Sequence, residues 1–245
     1  MSLQKSISKR IGRAIFKYKL IKEDDKILVA VSGGKDSITL LDDLVHRQKG
    51  FPIKYKLSAV YLHPDFAPID RIEIIKRYVH GLNVDFTVKN LPVLKRIKDN
   101  QKMNCFWCST QRRIELMKVA DELGCNKIAL GHHLDDIAET MLMNICFNGE
   151  TGGMLPCFHY DKFNKTIIRP LAFVKESLIT KYIKEINYEP FTCNCGYNQN
   201  SKRLVIREII QKISDYEQNV RENILKSMHN INSDYLLSDF DDKGI

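Results

Sequence analysis

The sequence predicts an α/β fold: a parallel twisted sheet with helices on both faces, a basic N-terminal helix and a helical C-terminal extension. Three observations carry this reading. Short apolar runs rich in β-branched residues alternate with longer segments whose apolar residues recur at helical spacing, the pattern of parallel strands joined by crossover helices. Gly50, Pro52, Pro64, Pro68 and Gly81 punctuate these segments. At 245 residues and 44% hydrophobic, the chain can bury one substantial core with a smaller appendage.

The elements follow in order. Up to Lys22 there are seven basic residues and no acidic one, and Ile7, Ile11, Ala14, Ile15 and Tyr18 trace one helical stripe. A mitochondrial presequence has the same look, but the stripe runs almost directly into the first strand and leaves no room for a cleaved leader. Residues 1–26 are therefore expected to form a helix packed on the domain. Ile27 to Val31 reads as a buried strand, and Ile38, Leu40, Leu41, Leu44 and Val45 as the apolar face of the next helix. Strands are expected over Tyr55 to His63, Val84 to Val88 and Lys127 to Leu130. Helices are expected over Ile69 to Val79, Ser109 to Leu123, Leu134 to Phe147 and Val174 to Ile186, closing a domain over 27–190. Beyond Pro190, residues 191–245 read as a cysteine turn and two helices, about Lys202 to Ile213 and Tyr216 to His229.

Composition narrows the setting. No window approaches the ~18 apolar residues of a membrane span, and no secretory leader opens the chain, so a cytoplasmic location without membrane contact is expected. The net charge of +8 favours a polyanionic partner such as RNA, although a Lys-rich chain can also reflect nucleotide composition. Seven cysteines without a secretion signal point to metal or catalytic use rather than a disulfide framework.

Two motifs fall where parallel sheets bind ligands, at the carboxyl ends of strands. The first is Ser32-Gly33-Gly34-Lys35-Asp36-Ser37, the turn between the first strand and its helix. Two glycines let backbone approach a polyanion, the helix start offers unpaired N–H groups, Ser32 and Ser37 add hydroxyls, and Lys35 adds charge. A plain capping turn built on Ser32 or Asp36 is the alternative. The spacing does not fit G-x-x-x-x-G-K-[ST]. It resembles the SGGxDS signature of the PP-loop ATP pyrophosphatases, which implies an adenine nucleotide alpha hydrolase-like fold and cleavage of ATP between its α and β phosphates. The second motif is Gly131-His132-His133-Leu134-Asp135-Asp136. Its paired carboxylates suit Mg²⁺ on a nucleotide, and equally suit the first turn of a helix. The adjacent histidines alone are a weak metal signal.

Cys105-x-x-Cys108 and Cys193-x-Cys195 could supply four thiolates to zinc, or three to a [4Fe–4S] cluster with an open iron; their spacing does not separate the two. Cys125, Cys146 and Cys157 lack partner spacing and are expected to be core or incidental.

Taken together, these residues resemble the tRNA 2-thiocytidine synthetase family over nearly the whole chain. The matching stretches are Ile11-Gly12-Arg13-Ala14-Ile15, the 32–37 turn, Cys105-x-x-Cys108 with Arg112-Arg113, Lys127 to Asp136, Ile168-Arg169-Pro170-Leu171-Ala172, and Cys195-Gly196. The resemblance implies an enzyme that uses ATP and Mg²⁺ to adenylate the C2 oxygen of an anticodon-loop cytidine and then replaces that oxygen with sulfur. It further implies a [4Fe–4S] cluster on Cys105, Cys108 and Cys195, a sulfur donor (a cysteine desulfurase or sulfide), and a homodimer. By the same resemblance Lys35, Asp36, Arg112 and Asp136 are catalytic, with Asp136 also a Mg²⁺ ligand. Ser32, Gly33, Gly34, Lys35, Asp36, Ser37, Gly131, His132 and Asp135 would hold the nucleotide. The family's last cysteine pair is C-x-x-C where this chain has C-x-C, and related thiouridine synthetases carry lysine where Arg112 falls. A thiouridine synthetase or lysidine synthetase is the alternative. The cysteine triad argues against the latter, and the lack of flanking zinc-finger cysteine pairs against the former.

Overall fold

The computed structural model describes residues 2–98, 102–192 and 202–235. In chain order the elements are α1 (Leu3–Tyr18), β1 (Asp25–Ala30), α2 (Lys35–Gln48), β2 (Tyr55–Pro64), α3 (Asp70–Gly81), β3 (Asp85–Leu91) and α4 (Cys105–Glu122). They continue with β4 (Lys127–Ala129), α5 (Leu134–Asn148), β5 (Cys157–Tyr160), β6 (Lys165–Ile168), α6 (Glu176–Glu185), α7 (Lys202–Ser214) and α8 (Val220–Ser227). No described helix is long and apolar enough to cross a membrane.

The sheet runs β3-β2-β1-β4-β6-β5. Neighbours pair in parallel except β5 with β6, which pair antiparallel. The sheet is therefore mostly parallel, as expected from sequence, with β5 added antiparallel at one edge. Both missed strands have four residues, too few to show a period, and the left-handed Asn164 (φ 47°) helps turn one into the other. Smaller shifts occur at helix ends: α6 begins at Glu176 and α8 is confined to Val220–Ser227.

Alternation along β1 explains the layers. Ile27, Val29 and Val31 enter a core shared with α1, α2, α3 and α6, whereas Leu28 points through the sheet to Leu116, Met117 and Ala120 of α4. Helix α1 docks by the expected stripe, burying Ile7, Ile11, Ala14 and Ile15; Ser2 caps its start by accepting from Lys5 N–H.

From β1 the chain steps outward to β2 and β3, then returns to place β4 on the other side of β1. Such a reversal opens a crevice beyond the carboxyl ends of the two central strands. Both the 32–37 turn after β1 and the 131–136 turn after β4 lie at that edge.

Candidate active site

The 32–37 turn is held by its own serines. Ser37 Oγ donates to Gly34 O (2.9 Å) and accepts from Ser32 N–H (3.1 Å), while Ser32 Oγ accepts from Gly34 N–H (3.3 Å). Gly34 is the N-cap of α2, and no side chain caps that helix. The start of α2 thus keeps donors for an anion, as a plain capping turn would not. Gly33 has φ +78°, and a Cβ there would lie 2.3 Å from the Phe191 ring. Phe191 N–H in turn donates to Gly33 O (2.9 Å), docking the chain that leads to the second cysteine pair onto the turn.

Gly131 also answers a close approach. A Cβ there would sit 3.0 Å from Asp36 C and Ser37 N, so glycine lets the end of β4 pack against the first turn of α2. The two motifs become one site through that contact.

His133 organises the carboxylates. It is the N-cap of α5 in a reciprocal box: Asp136 N–H donates to its Nδ1 (3.4 Å), and its own N–H donates to Asp136 Oδ2 (3.1 Å). With Nδ1 accepting, the proton sits on Nε2, which faces Asp136 Oδ2 at 3.4 Å and Asp36 Oδ1 at 3.7 Å. The latter distance is too long for a hydrogen bond, and Asp36 Oδ1 is buried with no hydrogen-bond partner among the described residues. Burial raises the Asp36 pKa above the usual carboxylate value, with His133 and Lys35 opposing. Burial also pushes Asp136 up, but His133, His132, the His133 N–H and Arg203 outweigh it and hold the pKa low. Arg203 Nη1 meets Asp136 Oδ1 at 3.1 Å.

No three His, Cys, Asp or Glu side chains form a metal-holding group among the described residues. Asp36 and Asp136 instead offer two carboxylates, one with an orphaned oxygen, which is the donor set Mg²⁺ uses alongside phosphates.

Two of the expected nucleotide contacts are engaged by neighbouring residues. Asp135 Oδ2 accepts from Glu176 N–H (2.8 Å) and its Oδ1 pairs with Arg221 Nε. His132 accepts from Arg169 Nε through Nδ1 (3.1 Å), and burial, aided by Arg169, pushes its pKa down to about 4, so it is neutral at pH 7. Its acceptor nitrogen is committed to Arg169, whose own pKa burial lowers to about 10.

Beside the 32–37 turn opens a shallow cleft of about 130 Å³ lined by Ser32, Tyr61, Phe66, Arg71, Arg112 and Phe191, among others. Its mixed apolar and cationic walls suit the face of a base and an adjoining phosphate. Arg112 Nε is buried there with no hydrogen-bond partner among the described residues, a donor awaiting an acceptor. Cys105, Cys108 and Arg112 recur at i, i+3 and i+7 on α4 and so share a face. The C-x-x-C is exposed or half-exposed on the first turn of that helix, with Asn104 accepting from Trp107 N–H (2.8 Å) as its cap. On the opposite wall Thr192, whose carbonyl accepts from Arg71 Nη2 (3.1 Å), directly precedes Cys193. Cys193 and Cys195 lie outside the described residues. Of the remaining cysteines, Cys125 is buried, Cys157 half-buried and Cys146 exposed.

His133 as organiser, Glu176, Arg169 and Arg203 escape sequence reasoning. One signal existed: Arg203 and Arg207 are spaced to meet Asp136 and Glu139 on a neighbouring helix, and both pairs form.

Fold and site define a class, and the PP-loop domain family model matches residues 3–213. The chain belongs to that family, within it to the family of tRNA-cytidine(32) 2-sulfurtransferases. It is 38% identical over 242 residues to the protein of that name from Paracidovorax citrulli, covering 96% of this chain and 77% of the relative. Against the Pseudomonas putida protein of the same name it is 36% identical over 236 residues, covering 94% and 85%. Among solved structures, the U34-tRNA thiolase NcsA from Methanococcus maripaludis with its [4Fe-4S] cluster superimposes with a TM-score of 0.77. That match has 22% identity and covers 93% of this chain and 78% of the thiolase, a likeness of fold.

Proposed function

We propose that this chain is an ATP-dependent tRNA sulfurtransferase that converts an anticodon-loop cytidine to 2-thiocytidine. The observation that supports the reading is the uncapped α2 start beside the Asp36–His133–Asp136 group, with Arg112, on the helix that begins at Cys105 and Cys108, lining the adjacent cleft together with Ser32. The relatives' name supplies the base and the atom exchanged.

The residues divide the work. The uncapped N–H groups at the start of α2 and Lys35 bind the phosphates and stabilise charge on the departing pyrophosphate; removing one such donor typically costs about 3–4 kcal/mol of barrier. Asp36 and Asp136 would hold Mg²⁺ against the same phosphates. Arg112 donates to the α-phosphate. The C2 oxygen of cytidine attacks the α-phosphorus, the α–β bond breaks, and pyrophosphate leaves. Sulfur at the sulfide level then bonds to C2 and loses its proton, and the C2–O bond breaks as AMP departs with the original oxygen; persulfide sulfur from a desulfurase would first take two electrons from a thiol reductant. Cys105, Cys108 and Cys195 would hold a [4Fe–4S] cluster, which supplies the place where incoming sulfur is presented. Holding the base between the turn and the α4 start gains from proximity. A cysteine desulfurase or free sulfide is the donor, the location is cytoplasmic, and the active form is a homodimer.

The test is mass spectrometry of nucleosides from tRNA of a strain deleted for this gene. Loss of 2-thiocytidine, restored by the wild-type gene, is expected; an unchanged nucleoside pool contradicts the proposal.

A further inference from the structure

The Lys35 ammonium is held on two sides. Its Nζ lies 3.2 Å from Asp36 Oδ2, the adjacent residue, and 2.9 Å from Glu176 Oε1, which the fold brings in from the first position of α6. Glu176 is itself seated. Its N–H donates to Asp135 Oδ2 (2.8 Å), and Asp135 Oδ1 is paired with Arg221 Nε on α8. The Arg221 contact is ionic rather than a well-aligned hydrogen bond, since its Nε has no hydrogen-bond partner by geometry. Arg221 Nη1 donates to Ser214 Oγ at the end of α7 (2.7 Å). Next to Glu176, Lys175 Nζ pairs with Glu222 Oε1 on α8 at 2.8 Å. A continuous line of contacts thus runs from the C-terminal helices through α5 and α6 to the lysine of the phosphate turn.

We infer that Glu176 is a positioning residue for Lys35, seated by Asp135 and Arg221, so that the C-terminal helices brace the phosphate site through α6. The inference rests on reading Lys35 as a phosphate contact. A lysine carries a long flexible stem, and a fixed carboxylate 2.9 Å from its tip removes part of that freedom before substrate arrives. Burial opposes the charge on both partners, yet Asp36 and Glu176 raise the Lys35 pKa and Lys35 lowers that of Glu176, so both remain ionised. A carboxylate beside the phosphates disfavours ground-state ATP. The aimed ammonium meets the greater charge of the departing pyrophosphate. Glu176 therefore acts on turnover rather than on ATP affinity.

The test uses the full chain with ATP, Mg²⁺, tRNA and sulfide under anaerobic conditions, reading kcat from AMP release and the ATP dissociation constant from calorimetry. Glu176→Gln lowers kcat about tenfold while the ATP dissociation constant stays level or falls. Glu176→Asp, which keeps the charge and the helix start, recovers part of the loss and serves if Glu176→Gln fails to fold. In a Lys35→Met background, Glu176→Gln has no further effect, because it acts through the missing ammonium. An undiminished tenfold loss in that background, or an ATP dissociation constant that weakens in step with kcat, overturns the inference. If Lys35→Met alone leaves turnover unchanged, the phosphate role of Lys35 fails first, and the inference with it.

Discussion

The two edges of the sheet handle buried polar groups in opposite ways. At the amino edge, Asp25 Oδ2 meets Lys127 Nζ at 2.7 Å and Lys22 N–H at 2.6 Å, and Asp25 Oδ1 accepts from Asn126 Nδ2 at 2.8 Å. Lys127 Nζ also donates to Leu20 O at 2.7 Å, and Asn126 Oδ1 accepts from Lys26 N–H at 2.8 Å. At the carboxyl edge, Asp36 Oδ1 and Arg112 Nε are buried without hydrogen-bond partners among the described residues. Native interiors satisfy nearly all such groups, so an orphaned acceptor and donor flanking one crevice indicate where a ligand completes the structure. The amino edge fixes the entry of α1 into β1 and the β1–β4 pairing. The carboxyl edge uses that rigidity for chemistry.

Substitutions at each edge should separate activity from stability. The largest effect is expected from Cys105→Ala at the ligand edge: thiolated product disappears from anaerobic assays while calorimetric ATP binding persists. Product at the wild-type yield would remove the cysteines from the mechanism. Asp136→Asn should cut tRNA-dependent AMP release by about 10²-fold or more, as expected when a charge-stabilising contact is lost at a reacting phosphate. At the other edge, Lys127→Met strands the Asp25 carboxylate. It should cost about 3–5 kcal/mol in urea unfolding, with ATP affinity of the folded fraction unchanged. Between the edges, Gly131→Ala forces the end of β4 away from α2 and should cost about 1–3 kcal/mol while weakening ATP binding.

The smallest effect is a contrast in pH dependence. The folded-state pKa of Asp36 is raised, so its ionisation takes stability away as pH rises from the usual carboxylate value through the raised one. The folded-state pKa of Asp136 is lowered, so it contributes stability above the usual carboxylate value and loses it as pH falls through its own. Asp36→Asn should therefore stabilise the unliganded protein at pH 7, and Asp136→Asn destabilise it, with both differences shrinking in acid. Urea midpoints that move together would break the distinction.

Much of this was legible in the sequence because it is local. The 32–37 turn, its flanking strand and helix, and the C-x-x-C with Arg112 at i+7 are contiguous signals, and Arg112 and Ser32 line one cleft. Adjacent aspartates were not separable by pattern. Asp136 is held at His133 and Arg203 because His133 takes the N-cap and closes a box with the third helical residue, while Asp135 turns to Arg221 and α6. Glu176 and Arg203 meet their partners only through tertiary packing, and β5 and β6 were too short to read. Cys193 and Cys195, legible as a pair, lie outside the described residues.

If ATP at the carboxyl edge activates the very oxygen that sulfur replaces, that oxygen must leave with AMP. The most direct measurement supplies tRNA bearing ¹⁸O at cytidine C2, with ATP, Mg²⁺ and sulfide under anaerobic conditions, and follows the label by mass spectrometry. One ¹⁸O in each AMP, matched by an equal yield of 2-thiocytidine, is the predicted result. Unlabelled AMP accompanying 2-thiocytidine, or labelled AMP without any thiolated nucleoside, would contradict it.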